Sequence, residues 1–261
     1  MAEAEGKPVI LLVEDNLVNQ KVAMLHLNKL GYSNVDIADD GQQALEAWQN
    51  AQGDDYALVL MDCQMPVMDG FEATRSIRSR EQHNKHTVII AMTANALAED
   101  RVQCLQAGMD DYLAKPVDAS MLQAMLDKWL HQKHTLDHVG EKRNMEIAAN
   151  TAPVVDFERL KNMFGDDDAT INDLLNIFVT TTEPLFPKIK TTIDAADFAG
   201  VKALGHQVAG SAANLGIQQM HVLARELEAA AAANDGGQCQ AVLERIMAAF
   251  TDVSNVVKQA A

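Results

Sequence analysis

The chain has 261 residues, 48% hydrophobic and 22% charged, with 37 acidic against 21 basic side chains and a formal charge of -16 at pH 7. That length suits two domains of unequal size, and the acidic balance repels phosphate backbones and anionic lipid, so nucleic acid and membrane surfaces are poor partners and a basic protein patch or a cation is a better one. No apolar run is long enough to insert in a membrane, acids stand where a secretory signal would carry bases, and Cys63, Cys104 and Cys239 form no C-x-x-C pair; a cytoplasmic protein with reduced, buried thiols is the expectation.

Short apolar runs alternate with helical patterns from Val9 to Leu130. The runs are VILLV (Val9 to Val13), NVDIA (Asn34 to Ala38), ALVLM (Ala57 to Met61), TVIIAM (Thr87 to Met92) and DYLA (Asp111 to Ala114). Amphipathic stretches such as Leu17 to Leu30 and Gly41 to Asn50 lie between them. Parallel strands need crossover helices and are then buried on both faces, so this alternation predicts an α/β domain with a doubly wound five-stranded parallel sheet over residues 1–130.

Residues 131–153 are polar, weakly periodic and end in Pro153, as a linker would. His131, His134 and His138 fall here at helical spacing, but a structural zinc site wants four ligands and no cysteine is near. From Val154 to Ala261 every segment has helical spacing, punctuated by Gly165, Gly216 and Gly236-Gly237, and Pro184 and Pro187 should kink or break the long second one. An all-α four-helix bundle is the prediction for residues 154–261.

In open parallel sheets the residues just past the strands at their carboxyl ends carry the chemistry. Here they are Glu14 and Asp15 after strand 1, Asp62 after strand 3, Thr93 after strand 4 and Lys115 after strand 5. Three carboxylates converging on one crevice repel unless a cation neutralises them, and hard Mg2+ with oxygen ligands suits them. Lys115 and Thr93 add the donors that a phosphoryl group arriving on Asp62 needs, so the crevice is suited to making an acyl phosphate. Neither G-x-G-x-x-G nor G-x-x-x-x-G-K-[ST] occurs, so dinucleotide and P-loop chemistry lack their phosphate cradle.

The segments ILLVEDNLVNQ, LVLMDCQMPVMDGFEATRSIR, AMTANA and GMDDYLAKP closely resemble the receiver domains of two-component signalling. That resemblance implies a flavodoxin-like receiver with Asp62 as phosphoacceptor and Mg2+ held by Glu14, Asp15, Asp62 and the Cys63 backbone carbonyl. It also implies Thr93 and Lys115 on the phosphoryl group, and Tyr112 as the aromatic switch.

In the helical region the stretch ALGHQVAGSAANLG holds one histidine among small residues. At roughly 100° per residue, Leu204, Val208, Ser211 and Leu215 fall opposite His206, while Lys202, Ala209, Gly210 and Ala213 share its face. The expectation is an exposed imidazole, bared by small neighbours for another protein to approach. An exposed ring nitrogen can carry a phosphoryl group as a phosphoramidate. HQVAGSAANLG resembles histidine phosphotransfer (HPt) domains, which implies His206 as a second phosphoacceptor and gives Lys202, Gly210 and Glu228 auxiliary roles. The family usually has lysine where this chain has Ala209; Lys202, one turn before His206, is a substitute cation, and Glu228 could orient the imidazole.

Together the two resemblances imply a phosphorelay, as in the C-terminal part of hybrid sensor histidine kinases. An upstream histidine kinase would phosphorylate Asp62, and His206 would pass the group to a downstream receiver. A linker of about twenty residues spans roughly 25 Å as a coil, which leaves transfer within one chain open. The alternative is a phosphorylation-switched binding module whose helical domain, lacking a lysine at Ala209, only docks partners. A phosphatase built on MDCQMPVMDG would leave the helical domain and Thr93 without a role.

Overall fold

In the computed structural model, residues 9–51, 56–82, 85–93, 98–131 and 153–260 are described. Five strands, β1 (Val9–Val13), β2 (Val35–Ala38), β3 (Tyr56–Asp62), β4 (Ile89–Thr93) and β5 (Asp111–Ala114), form one parallel sheet in the order β2-β1-β3-β4-β5. The period of two in β1 divides its side chains between two cores. Ile10 and Leu12 meet α1 (Leu17–Lys29) and α5 (Ala119–Leu126), whereas Leu11 and Val13 meet α2 (Gly41–Asn50), α3 (Gly70–Arg80) and α4 (Ala98–Ala107). Asn16, Asp40, Asp69 and Asp118 accept from the opening amides of α1, α2, α3 and α5, which starts each of these helices just beyond the preceding strand or loop. Because the order reverses at β1, the carboxyl ends of β1 and β3 flank the crevice.

A π-helical turn, Asp127–His131, follows α5. The expected linker, with His134 and His138, lies almost wholly outside the described residues. The helical region consists of α6 (Phe157–Phe164), α7 (Asp168–Thr182), α8 (Leu185–Asp194), α9 (Phe198–Asn214), α10 (Gln218–Ala232) and α11 (Gly236–Ala260). Pro184 divides α7 from α8, as its missing amide donor requires. Helices α7 to α11 surround a core that includes Phe178, Phe186, Ile189, Leu227 and Phe250.

The two halves are packed together through α1. Its Val18 and Val22 are buried in the same apolar cluster as Leu160, Phe164, Ile171 and Val208 of the helical half. Polar contacts frame this junction: Asn16 Nδ2 donates to Ser211 Oγ at 2.8 Å, Asn214 Nδ2 to Asn19 Oδ1 at 2.8 Å, and Lys29 Nζ to the Met163 carbonyl at 2.8 Å. His26 stacks on Phe164 with ring centroids 5.6 Å apart. Helix α1 therefore buries residues all round, Val18, Asn19, Gln20, Val22, Ala23, His26 and Leu27 among them, because it lies between the sheet and the bundle.

Candidate functional site

The strand ends bring together the residues that the sequence pattern singled out. Glu14 and Asp62 are each 2% exposed, and ligand oxygens of Glu14, Asp15 and Asp62 lie within 4.8 Å of one another. Lys115, at the end of β5, reaches across the crevice; its Nζ donates to Glu14 Oε2 and Asp62 Oδ2, both at 2.6 Å. Burial works against the ammonium charge, but the carboxylates of Asp62 and Glu14 outweigh it and raise the Lys115 pKa. Burial also raises the proton affinity of Glu14, against the pull of Lys115, and that of Asp15, against a hydrogen bond from Gln207.

Other expected residues fall close by. Thr93 is buried at the end of β4 and its carbonyl accepts from the Lys115 amide at 2.7 Å. The Cys63 carbonyl, read as a metal ligand, accepts from the Gly70 amide at 3.2 Å, and a carbonyl has a second lone pair to offer. Tyr112 is half-buried on β5 with the Arg101 guanidinium 5.6 Å from its ring centroid. Three oxygen donors in one crevice, two of them buried, fit a hard divalent cation.

Two amides on α1, Asn19 and Gln20, complete the acidic site, and a third, Asn16, precedes the helix. Asn19 Nδ2 donates to Glu14 Oε1 at 2.8 Å, and Gln20 Nε2 donates to the Glu14 carbonyl at 2.6 Å and Asp39 Oδ1 at 2.8 Å. Asn16 caps the helix with its oxygen and uses its NH2 on Ser211. These residues were legible only as the polar tail of EDNLVNQ.

The expected exposure of His206 is corrected by the structure. Its side chain is 13% exposed, Ala209 and Ala213 are buried, and Leu204, expected in the core, is only partly buried. A helical wheel carries only the helix's own residues. Here the smooth face of α9 is covered by α1 of the sheet domain, and a Cβ on Gly210 would stand 3.3 Å from Asn19 Nδ2. Of the small residues that seemed to bare the histidine, Gly210 lies against α1, while the Ala209 carbonyl meets His221 Nδ1 of α10.

His206 and Thr93 open onto one cleft of about 280 Å³, together with Cys63, Gln64, Lys202 and Glu228. Lys202 is exposed at its rim, and Glu228 Oε2 lies 3.6 Å from His206 Nδ1. Arg225, which the sequence did not single out, also lines the cleft and donates to Glu228 Oε2 at 2.9 Å.

Residues 10–127 match the family model of the response regulator receiver domain, and residues 173–256 match that of the Hpt domain. The chain joins a receiver domain to an Hpt domain. The aerobic respiration control sensor protein ArcB of Escherichia coli (strain K12) is 32% identical over 220 residues, 84% of this chain and 27% of that protein. Hybrid signal transduction histidine kinase B of Dictyostelium discoideum is 44% identical over 133 residues, 47% of this chain and 7% of that protein. The chain thus spans a small part of the length of these relatives.

Among solved structures, the receiver domain of sensor histidine kinase PA1611 from Pseudomonas aeruginosa PAO1, with magnesium coordinated in its active site cleft, is 49% identical. That match has a TM-score of 0.43 and covers 49% of this chain and 100% of that one. A co-crystal of the Saccharomyces cerevisiae histidine phosphotransfer signaling protein Ypd1 with the receiver domain of its downstream response regulator Ssk1 is 32% identical. Its TM-score is 0.42, over 47% of this chain and 88% of the matched chain. In this chain the Hpt domain packs on the receiver at the crevice side of α1. No helix among the described residues is long and apolar enough to cross a membrane.

Proposed function

We propose that this chain is a phosphorelay intermediate in which Asp62 receives a phosphoryl group from an upstream histidine kinase and passes it to His206 of the same chain. The observation that carries this reading is the shared cleft: the imidazole lines one cavity with Cys63, the residue after Asp62, and with Thr93 at the end of β4. Asp62 Oδ would attack phosphorus as the donor's P–N bond breaks, forming an acyl phosphate. A His206 ring nitrogen then attacks that phosphorus, and the bond to Asp62 breaks with its electron pair left on the carboxylate.

Glu14, Asp15, Asp62 and the Cys63 carbonyl would hold Mg2+, which when bound neutralises charge on the phosphoryl oxygens. Lys115 is drawn by Asp62 now, and its ammonium is within reach of a phosphoryl oxygen once Asp62 is phosphorylated. Thr93 supplies a hydroxyl at the same edge. Tyr112 is assigned the switch role through its place on β5, next to the α4 residue Arg101.

On the Hpt side Lys202 supplies positive charge at the rim, where the family's lysine is replaced by Ala209. Delivery to a separate downstream receiver requires the two domains to part, because α1 covers the face of α9 that a second receiver would need. Incubating the chain with a labelled phosphodonor and mapping phosphate tests the assignment. Acid-labile, alkali-stable label on His206 that vanishes in Asp62→Asn is expected; stable occupancy of Asp62 without any label on His206 would favour a binding module instead.

A further inference from the structure

Glu228 is 7% exposed and its carboxylate serves two neighbours through one oxygen. Arg225 Nη1 donates to Oε2 at 2.9 Å, and His206 Nδ1 stands 3.6 Å from that same atom. Glu228 Oε1 and His206 Nδ1 are both buried without a hydrogen-bond partner among the described residues. The backbone is shaped for this approach: a Cβ on Gly205 would stand 3.3 Å from Glu228 Cγ, so a bare glycine lets the carboxylate lie beside the ring. The gap of 3.6 Å exceeds a hydrogen bond, and catalytic contacts are commonly long or poorly aligned in structures without substrate.

The charges around the ring come from two helices. Lys202 is on α9 and Arg225 and Glu228 are on α10, while the receiver side lines the cleft with uncharged Cys63, Gln64, Thr93 and Gln103. Asp62 and Lys115, behind them, are paired with each other. Which ring nitrogen of a neutral histidine carries the proton is set by the hydrogen bond that the other makes. A nucleophilic Nε2 therefore needs an acceptor at Nδ1, and Glu228 is the acceptor at hand.

We propose that Arg225 is a positioning residue for phosphotransfer: it holds the Glu228 carboxylate aimed at Nδ1–H, so that the Nε2 lone pair of His206 is the one presented to the phosphoryl group. Without the guanidinium, Glu228 loses the hydrogen bond at Oε2 that aims its carboxylate at Nδ1. In the transfer itself Nε2 donates its lone pair to phosphorus and the P–O bond to Asp62 breaks toward the carboxylate. Nδ1 keeps its proton, and the positive charge that develops on the ring faces Glu228. The proposal rests on the phosphorelay reading for the identity of the reaction, but the tautomer belongs to the unphosphorylated chain and is read separately.

The test is 15N NMR of His206 in the full chain, with phosphotransfer measured in parallel. The Nδ1–H tautomer is expected in the native chain and in Arg225→Lys, and the Nε2–H tautomer in Arg225→Ala. Transfer from Asp62 to His206 should slow about tenfold or more in Arg225→Ala, as a misplaced tautomer does elsewhere, with Asp62 loading unchanged. In a Glu228→Ala background, Arg225→Ala should change neither readout. An Nε2–H ring in the native chain, or one indifferent to Arg225, would overturn the proposal. A tautomer that responds to Arg225 in a chain that never carries phosphate on His206 would support the positioning role and overturn the relay.

Discussion

Gln207 Nε2 donates to Asp15 Oδ2 at 2.6 Å, so the residue after His206 touches a carboxylate of the acidic crevice in the other domain. Docking of the Hpt domain and the state of the receiver's crevice are thereby joined through one amide. Hydrogen bonds to charged groups contribute about 1.5–3 kcal/mol. Gln207→Ala should loosen docking by an amount in that range, measured as faster modification of His206 by diethyl pyrocarbonate. An unchanged modification rate would show that the contact contributes nothing to docking.

The apolar part of the junction should be the larger one. Val22 is 1% exposed within the bundle's core cluster, and a fully buried valine is worth about 1.5–3 kcal/mol against exposure. Val22→Glu, and Gly210→Val from the other side, should each part the domains and leave the sheet and bundle folded. Small-angle scattering would register the larger radius of gyration while far-ultraviolet circular dichroism stays constant; a compact profile in both variants argues against a separable junction.

Much of this was written in the sequence, and the parts that were not have a common cause. Each strand of the sheet carries its own burial signal and ends on its own polar residue, so Glu14, Asp15, Asp62, Thr93 and Lys115 could be collected without coordinates. The break at Pro184 is equally local. The surroundings of His206 are not, since the helix that covers α9 lies nearly two hundred residues earlier in the chain. The roles of Asn16 and Asn19 likewise depend on partners that only the fold supplies, Ser211 and Asn214. Arg225 sits three residues before Glu228 on α10, and only the packing of α10 against α9 connects it to the imidazole.

Docking should depend on pH through His26, whose ring is fully buried against Phe164 with neither nitrogen hydrogen-bonded among the described residues. Burial, helped by the Lys29 charge and opposed by Asp118, holds its pKa below the ordinary 6.5. The docked state therefore binds fewer protons than a parted state in which the ring meets water. Its stability is complete above pH 6.5 and declines as pH falls from there toward the lowered pKa. A titration of inter-domain fluorescence transfer should follow this course in the native chain and flatten in His26→Leu; a parallel decline in both would assign the effect to another group.

Lys115 neutralises two carboxylates in a crevice where all three side chains are at most 6% exposed. Breaking such a buried pair costs about 3–5 kcal/mol. Lys115→Met should melt at lower temperature in chelator, and added magnesium should raise its Tm by more than it raises that of the native chain. Equal magnesium gains in the two proteins would mean that the cation does not enter among Glu14, Asp15 and Asp62.

On the proposed relay, Asp62 hands its phosphoryl group to His206 of the same chain across the shared cleft. The most direct measurement follows the rate at which label moves from Asp62 to alkali-stable phosphate on His206 as protein concentration is varied over a hundredfold range. A first-order rate independent of concentration is predicted, together with no label on His206 when an Asp62→Asn chain is mixed with a His206→Gln chain at low concentration. A rate proportional to concentration, or efficient transfer in that mixture, would contradict it.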